Sequence, residues 1–416
     1  MQKRENFRTG DQALVRQINL ALMMHILRTR APISRATLSS ETGLNKATVS
    51  DLVSELIEKE FVRELGFASS GTGRPATQLM LNPAAGFLIG CEIGVGFIEV
   101  LVTDFGPEVI WQTKEEISPE LGSAATLQRV LDLLHQAIEK GRPAGTRLMG
   151  IALGIPGMVD HNTGTLRFAP NLKWRDVPLR QVLEQANFGA PIFIDNEANM
   201  AALGEYYFGV AQGHQEVLYL SGNVGLGGGL LREGKLSRGA NGVAAEFGHI
   251  TMDPDGILCN CGNRGCWETL VSQTALFRYI GESLHDGEDS ALAAFFSGEN
   301  TQRLTVPLVV EAAKAGDAVA IHALQRVGHS LGIGIASLLN ALNPELVVLG
   351  GILSMASEFL LPMVDEEIQK RALYWNRESV RVLPAAHGSD ACAKGGIATI
   401  YQSVLTHANT VSLWAA

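Results

Sequence analysis

The feature that most constrains this chain is a cluster of one histidine and three cysteines in the run GHITMDPDGILCNCGNRGCWE, namely His249, Cys259, Cys261 and Cys266. One imidazole and three thiolates form the closed tetrahedral ligand set of a structural Zn²⁺ site. Gly262 and Gly265 allow the short loop to bend so that all three sulfur atoms point at one ion. The alternative is a disulfide with a spare thiol, but cysteines separated by one residue make a strained disulfide. The spacing therefore predicts bound zinc.

Length and composition predict a protein of two or three domains. The chain has 416 residues, of which 46% are hydrophobic, enough for sizeable cores. No apolar run reaches the roughly 18 residues that span a bilayer, and the start, MQKRENFRTGDQ, lacks the apolar core of a signal peptide. A cytoplasmic location is expected, where thiols stay reduced and can bind metal. The cysteines outside the cluster, Cys91 and Cys392, are expected to be small apolar core residues.

Charge is unevenly distributed along the chain. Residues 1–80 carry 11 Lys and Arg against 8 Asp and Glu, whereas the whole chain carries 33 against 43. A mildly basic head on an acidic body is consistent with a nucleic-acid-binding module joined to a second module. A small excess of basic residues is common in a segment of this length. Nucleic-acid binding therefore has to be supported by the order of helices and strands predicted for residues 1–80.

Residues 1–80 are predicted to form a winged helix-turn-helix domain. Apolar residues recur at helical spacing up to Pro32, which ends the first helix. Ser34 is expected to cap a second helix that stops at Gly43, and Asn45 to cap a third. Two helices joined by a short glycine turn make a helix-turn-helix. The two strands that follow, with a Gly- and Ser-rich turn between them, are the predicted wing.

The start of the third helix and the tip of the wing hold the candidate DNA contacts. The N-terminal end of a recognition helix faces base edges in the major groove. There an asparagine can pair with adenine and a lysine with guanine, while an arginine beside Gly and Pro can enter the minor groove. The alternative is a solvated hairpin in a protein-interaction domain. The candidates are Asn45, Lys46, Thr48, Ser50 and Arg74.

The rest of the chain is predicted to be a two-lobed α/β body. Asn82 and Pro83 mark a boundary, after which apolar strands such as FLIGCEIGVGFIEVLVTDF alternate with helical stretches such as ATLQRVLDLLHQAIEKG. Strands joined by short turns indicate mixed sheets. The expected boundaries are 86–200 for the first lobe, completed by 396–416, and 201–395 for the second.

Two motifs carry a specific resemblance. The run SGNVGLGGGLLREGKLSRGANGVAAEFGHI, followed by CNCGNRGCWE, resembles the ROK family, named for repressors, open reading frames and sugar kinases. The resemblance covers nearly the whole chain and implies the two-lobed actin-like, hexokinase-like (ribonuclease H-like) fold. Because of the helix-turn-helix at its start, the chain is similar to the repressor branch, and its layout resembles the xylose-responsive repressors.

The resemblance also implies roles for individual side chains. In the sugar kinases of the family, the positions of the predicted zinc ligands bind zinc, and sugar hydroxyls are held by the residues that match Glu246, His249 and Glu268. Asn196 in FIDNEAN matches another sugar contact, and Glu197 is expected to add one. Carboxylates accept hydrogen bonds from hydroxyls, and a neutral histidine can donate from one nitrogen while the other binds metal. A buried structural acid is the alternative for Glu246.

Three further features are weaker. The segment PNLKW offers Asn171 and Trp174 as candidates for the pocket rim or a hinge, with a core position as the equal alternative for Trp174. The glycine run 222–229 is interpreted as an inherited packing element, because close strand packing also uses glycine. Gly350 and Gly351 are interpreted as remains of a nucleotide cleft.

Two departures from the kinase pattern argue against phosphoryl transfer. Kinases of the family carry an Asp-x-Gly-Gly-Thr type of loop for phosphate and magnesium, where this chain has EIGVGF from Glu92 to Phe97. Their catalytic base is an aspartate, where this chain has Glu197, longer by one methylene or ~1.5 Å. Misplacement on this scale can cost of order 100-fold in rate. Since phosphoryl transfer depends on positioning, kinase activity is not expected.

The sequence therefore predicts a sugar-responsive transcriptional repressor, with xylose favoured as effector and glucose next. A structural Zn²⁺, operator DNA and a homodimer or dimer of dimers are expected, without membrane insertion. The alternatives are an ATP-dependent sugar kinase with a DNA-binding domain, and a repressor controlled by a partner protein.

Overall fold

The computed structural model describes residues 12–68, 76–118, 120–142, 147–296 and 303–406, which form a head and a two-lobed body. No helix within these ranges is both long enough and apolar enough to cross a membrane.

The head consists of three helices and a small antiparallel sheet of order β1-β3-β2. Ser34 Oγ accepts a hydrogen bond from the Thr37 N–H at 3.1 Å, and Asn45 Oδ1 accepts one from the Thr48 N–H at 2.9 Å, so both predicted helix caps are confirmed. The second helix ends directly before Gly43, as predicted. The elements are α1 Gln12–Arg30, β1 Ile33–Ser34, α2 Arg35–Thr42, α3 Lys46–Glu58, β2 Val62–Ala68 and β3 Ala76–Leu81.

The first lobe is built on a five-stranded sheet of order β11-β7-β4-β5-β6, beside a three-stranded antiparallel sheet of order β10-β9-β8. Its elements are β4 Phe87–Gly94, β5 Phe97–Asp104, β6 Val109–Glu116, α4 Gly122–Gly141, β7 Leu148–Ile155, β8 Met158–Asp160, β9 Thr165–Ala169, β10 Trp174–Val177, α5 Leu179–Gln185 and β11 Ile192–Asn196. Trp174 is buried in the core of this lobe. Of the two alternatives predicted for it, pocket rim and core, the core position is therefore correct.

The second lobe has a sheet of order β14-β13-β12-β15-β16. The helix α6 Glu197–Phe208 leads into it, and its strands are β12 Glu216–Gly222, β13 Leu226–Arg232, β14 Lys235–Leu236, β15 Leu346–Gly351 and β16 Arg381–Pro384. Its helices are α7 Glu268–Val271, α8 Gln273–His285, α9 Val306–Lys314, α10 Ala318–Leu342, α11 Ile352–Met355, α12 Ser357–Arg371 and α13 Tyr374–Ser379, followed by α14 Ala391–Thr406. Short 3₁₀ turns lie at Pro83–Ala85, Phe247–His249, Ala293–Phe295 and Gly388–Asp390.

The two large sheets repeat one topology. In each, the first strand pairs antiparallel with the second and parallel with the fourth, and the fifth strand is parallel to the fourth. The third strand lies at the opposite edge, antiparallel to the second. This duplication confirms the prediction of a two-lobed α/β body with mixed sheets, because each lobe buries one sheet under its own helices.

Two helices join the lobes to each other and to the head. α6 packs along α14, and while α14 contacts β4 and β7 of the first lobe, α6 contacts β13 of the second. Their apolar residues form one continuous cluster with buried residues of the head. The glycine run enables this contact, since a Cβ on Gly229 would lie 2.8 Å from the Cβ of Ala202 in α6. Close packing at Gly229 agrees with the interpretation of that run, while Gly225 and Gly227 of the same run line the cleft.

Candidate functional site

The predicted histidine and three cysteines converge in one place. One ligand atom from each of His249, Cys259, Cys261 and Cys266 lies within 4.8 Å of the others. All five cysteines of the chain are free thiols, so the disulfide alternative is wrong. Cys91 and Cys392 are buried, as predicted.

The distances within the cluster suit a tetrahedral ion. Cys261 Sγ and Cys266 Sγ lie 3.7 Å apart, and Cys259 Sγ lies 3.7 Å from His249 Nδ1. Tetrahedral zinc with Zn–S bonds of about 2.3 Å places its ligand atoms roughly 3.5–3.8 Å from one another. These two distances match those of a tetrahedral metal ion of this kind, and the four side chains could hold one.

Backbone geometry brings the ligands together. Gly265 adopts φ +61°, and a Cβ at this position would lie 1.5 Å from the carbonyl oxygen of Asp253. Its N–H donates to the Ile257 carbonyl at 2.8 Å, and its carbonyl accepts from the Met252 N–H at 2.8 Å. The predicted need for glycine here is confirmed, because any side chain would break the turn that places Cys266 in the cluster.

Glu268 connects the metal cluster to the cleft. Cys259 Sγ donates to Glu268 Oε1 at 2.8 Å, and the Leu226 N–H donates to Oε2 at 3.4 Å. The preceding Trp267 is fully buried and donates from Nε1 to the Ser330 carbonyl at 3.0 Å, which anchors this segment to α10. The position of Glu268 is thus fixed by both the cluster and the core of the second lobe.

A cavity of about 310 Å³ lies between the lobes beside the metal cluster. Its volume is at the lower end of the range for small-molecule sites, as expected for a ligand smaller than a typical drug. Asn171, the weaker rim candidate, also lines it, whereas Trp174 does not. The predicted sugar contacts all line it: Asn196, Glu197, Glu246, His249 and Glu268. The structure therefore brings together residues that are 72 positions apart in the chain.

Asn196 has a structural task besides lining the cavity. Its Oδ1 caps α6 by accepting from the N–H groups of Ala198 at 2.8 Å and Asn199 at 3.3 Å. Its Nδ2 donates to the Gly157 carbonyl at 3.0 Å. A ligand would therefore contact an amide that is already held in place.

On the opposite side of the cavity, two glutamates each have a buried oxygen without a hydrogen-bond partner in the described part of the chain. Oε2 of Glu92 and Oε2 of Glu197 are shielded from water and have no hydrogen-bond partner among the described residues. Burial, together with the nearby Glu99, raises the pKa of Glu92 to about 8. Burial also holds the pKa of Glu197 well above its usual range. Both groups therefore favour the neutral acid in the ligand-free protein.

Side chains around Glu92 fill this half of the cavity. The ring of Phe97 lines the cavity and packs on Gly94, where a Cβ would meet it at 2.0 Å. Lys114 Nζ lies 4.2 Å from the centre of this ring and forms an ion pair with Glu99 at 3.1 Å. This lysine is therefore already paired with a carboxylate of its own sheet.

Sequence reasoning missed several residues of the site. Asn223 and Gln273 line the cavity: Asn223 lies in the glycine run that was interpreted as a packing element, and Gln273 lies in no motif. Asn171 was predicted as a rim candidate, but its hydrogen-bond partner was not. Asn260 Nδ2 donates to Asn171 Oδ1 at 3.0 Å, which joins the first lobe to the metal loop. A hydrogen bond of this kind between distant loops leaves no periodic signal in the sequence.

A second contact between the lobes was also missed. Arg238 Nη1 and Nη2 donate to the two carboxylate oxygens of the buried Asp195 at 3.0 and 2.5 Å. Asp195 lies on β11 next to the α6 cap, so this bidentate pair fixes the second lobe beside the cavity.

Four predicted DNA contacts lie at the start of α3. Asn45, Lys46 and Ser50 are exposed and Thr48 is half-buried. Because Asn45 Oδ1 already caps α3, a bidentate contact with adenine would share this oxygen with the helix cap. The fifth candidate, Arg74, lies outside the described residues.

Two duplicated lobes around a cleft, with a cysteine and histidine cluster on its rim, define an α/β protein of the actin-like, sugar-kinase type. The ROK family profile matches residues 88–403. The chain belongs to the ROK family, which confirms the prediction from its motifs.

Comparisons distinguish two groups of relatives. The chain is 35% identical over 397 residues to a xylose repressor of Caldicellulosiruptor bescii, covering 95% of this chain and 98% of the relative. A crystal structure of a ROK family transcriptional regulator, homolog of the E. coli MLC protein, matches with a TM-score of 0.81 at 27% identity, covering 96% of this chain and 99% of the other. A ROK family glucokinase from Streptomyces griseus, in complex with glucose and AMPPNP, matches with a TM-score of 0.66 at 34% identity, covering 75% of this chain and 98% of its own.

Proposed function

We propose that this chain is a sugar-responsive transcriptional repressor whose head binds operator DNA and whose cleft binds a free monosaccharide, xylose first and glucose next. The observation that carries the proposal is that all five predicted sugar contacts line one cavity in a chain whose head lies outside the ROK family match at residues 88–403. Relatives named as a xylose repressor and a transcriptional regulator cover nearly the whole chain and support it.

The head is proposed to be a winged helix-turn-helix domain of about residues 1–80. Its three helices, and the β2–β3 pair, follow the order of that motif, with α3 as the recognition helix. Lys46 and Ser50 are exposed on α3 and are offered for base or phosphate contacts. The body would then comprise a first lobe of residues 86–200, completed by 396–416, and a second lobe of 201–395.

In the body, sugar hydroxyls are proposed to bind to Glu246, His249 and Glu268, with Asn196 and Glu197 opposite. Since His249 Nδ1 faces the sulfur atoms, Nε2 is left for a hydroxyl. A Zn²⁺ on the cluster would fix the orientation of this ring and hold the loop beside Glu268. The metal is proposed to be structural, because four protein ligands leave no open position for chemistry.

The body is proposed to have no kinase activity. Transfer of a phosphoryl group needs cations around the developing charge. In this cleft, the corresponding side holds the neutral acids Glu92 and Glu197 and the ring of Phe97, while Lys114 is paired with Glu99. These side chains supply no free cation to balance the charge of a polyphosphate.

A single helix is proposed to couple the sugar to the head. α6 begins at Glu197 in the cavity and extends for 12 residues, about 18 Å. At its far end Arg28 of α1 donates to the Tyr207 carbonyl at 2.8 Å and stacks over the Tyr207 ring at 4.4 Å. A sugar that prefers one lobe arrangement would shift α6 and, through Arg28, the head. In a homodimer or dimer of dimers, such a shift would change the spacing of two recognition helices.

The experiment that tests the proposal starts from DNA selected by the full-length, zinc-loaded protein from a random duplex library. Fluorescence anisotropy then measures affinity for the selected duplex with and without xylose or glucose, with Lys46→Ala as the contact variant and Glu139→Gln, on the exposed face of α4, as the matched control. We expect one duplex sequence to be enriched and its affinity to change with sugar. Absence of sequence-selective binding, or an affinity unaffected by either sugar, would reject the proposal.

A further inference from the structure

A second cavity of about 240 Å³ lies directly beyond the sugar cavity. The two cavities meet along a common wall, for six residues line both: Glu92, Phe97, Glu197, Ser221, Asn223 and Gln273. The second cavity continues toward α9, α11 and the 3₁₀ turn before α14. The space in the cleft therefore extends beyond the residues predicted to contact the sugar.

The second cavity offers little to the phosphate groups of a nucleotide. Glu92 and Glu197 line it, and Lys114 is the one lysine or arginine in its wall across the part of the chain that the structure describes. Lys114 is already paired with Glu99. A triphosphate would therefore gain no free cation to balance its charge.

The same wall is well suited to hydroxyl groups. Glu92 is only 6% exposed and lines both cavities. A carboxyl group can hydrogen-bond to the hydroxyl groups of a ligand. Ser221, Asn223 and Thr305 add further hydroxyl and amide groups to the wall.

An aromatic ring lies where the two cavities meet. Phe97 lines both of them, and its orientation is fixed by contact with Gly94 on one side and Lys114 on the other. Small-ligand sites combine an apolar surface with a few convergent polar groups. Phe97 is half-buried, so the accessible part of its ring offers an apolar surface to the C–H groups of a sugar.

We propose that the second cavity is a subsite for a second, uncharged sugar unit, so that the effector site accommodates a disaccharide. This inference rests on the proposed sensing function and specifies the chemical class of its effector. Glu92 and Asn223 contact both units at the junction, Phe97 packs against the ring, and the second unit extends toward Ser389 and Met355.

Calorimetric titration of the full-length, zinc-loaded protein tests this inference. The probes are xylose, β-1,4-xylobiose, glucose, cellobiose, and AMPPNP with Mg²⁺. We expect one disaccharide to bind about tenfold more tightly than its monosaccharide, a gain equivalent to one or two added hydrogen bonds. Met355→Trp, at a residue 45% exposed, should fill the second cavity and remove this advantage. Ser389→Trp serves as a second filling variant, and the monosaccharide titration of each variant checks that the first cavity is intact.

The possible outcomes separate this inference from the proposed function. Monosaccharide binding without any gain for the disaccharide would overturn the inference and leave the function standing. Saturable binding of AMPPNP with Mg²⁺ would also overturn it. If the disaccharide still binds more tightly than its monosaccharide in both Met355→Trp and Ser389→Trp, the second sugar unit binds outside the second cavity and this subsite is rejected. Binding of none of the four sugars would reject the proposed function as well.

Discussion

The two halves of the cleft differ in how their acidic groups are held. On the metal side, Glu268 accepts a hydrogen bond from the Leu226 backbone, and the neighbouring Trp267 anchors this segment by donating to the Ser330 carbonyl. On the opposite side, Glu92 and Glu197 each have an oxygen without a partner in the described chain. One half is organised before a ligand arrives, and the other has hydrogen bonds still to be made.

This difference indicates how one fold can support two functions. Binding a sugar needs hydroxyl acceptors at fixed positions, which the metal half provides. Transferring a phosphoryl group would need cations on the other half, where we propose that Glu92, Phe97 and Glu197 provide none. Function thus depends on the site, and the fold alone does not determine it. The half that departs from the kinase pattern is also where α6 begins, the helix that reaches the head.

The largest effect is expected from removing the metal cluster. Cys261→Ser replaces the least buried of the three cysteines and should reduce bound zinc from about one ion per chain to almost none. Loss of a structural zinc exposes the loop, so we expect the unfolding temperature to fall by about 10 °C or more and sugar binding to be lost. Metal analysis with thermal melting measures both. Cys91→Ala, outside the cluster, should retain the metal; equal metal content in both variants would contradict the assignment.

The next effect is on the dependence of stability on pH. The pKa of Glu92 rises from 4.5 to about 8 on folding, so between these values the folded protein binds more protons at this position than the unfolded chain. The free energy of unfolding should therefore fall as pH rises from about 4.5 to about 8. Glu92→Gln removes this dependence and should be more stable than the original by on the order of 3 kcal/mol near pH 8, with little difference near pH 4.5.

Chemical denaturation across this pH range measures the effect of Glu92→Gln. Glu99, Lys114, Glu197 and Asp390 also act on this carboxyl, so only the difference between the two proteins is informative. A difference that stays constant with pH would mean that Glu92 is ionised in the folded protein and that the contrast between the two halves is wrong.

A smaller effect is expected from the metal half. Glu246→Gln replaces a carboxylate with a weaker acceptor, and hydrogen bonds to charged groups contribute about 1.5–3 kcal/mol. We therefore expect the affinity for sugar to fall about 10- to 100-fold, with bound zinc unchanged. Calorimetry with Glu139→Gln as the matched control measures this change. Unchanged affinity in Glu246→Gln would place the sugar outside the metal half.

The smallest effect concerns communication with the head. Arg28→Ala removes the hydrogen bond and the stacking on Tyr207, so the ratio of operator affinities without and with sugar should fall about fivefold. Tyr207→Phe retains both the ring and the carbonyl, and should keep the full ratio. Anisotropy with the selected duplex gives these ratios. An unchanged ratio in Arg28→Ala, or an equal loss in Tyr207→Phe, would exclude this contact as the route.

The parts of the site predicted from sequence are those that lie close together in the chain. The four metal ligands fall within 18 residues, and the caps at Ser34 and Asn45 involve neighbours three positions away, so spacing alone constrains them. The sugar contacts were predicted through a family resemblance, because their spatial proximity depends on the packing of two lobes. The bidentate pair of Asp195 and Arg238 spans 43 positions and follows no periodic pattern.

A sequence also does not show whether a carboxyl group is buried without a hydrogen-bond partner. Glu92 was noted as a departure from a phosphate-binding loop, but its raised pKa follows from the packing of β4 between β5 and β7. In the same way, Trp174 could not be assigned to rim or core until β10 was placed against β9. Both features result from long-range packing, which propensity and periodicity do not encode.

The most direct test of the central claim, that this cleft binds a free sugar through its metal half, is calorimetric titration of the zinc-loaded protein with xylose and glucose beside a Glu268→Gln variant. The account predicts saturable binding of one of the two sugars, and loss of that binding in the variant while zinc is retained. No binding of either sugar to the folded, zinc-loaded protein, or binding that is undiminished in Glu268→Gln, would contradict it.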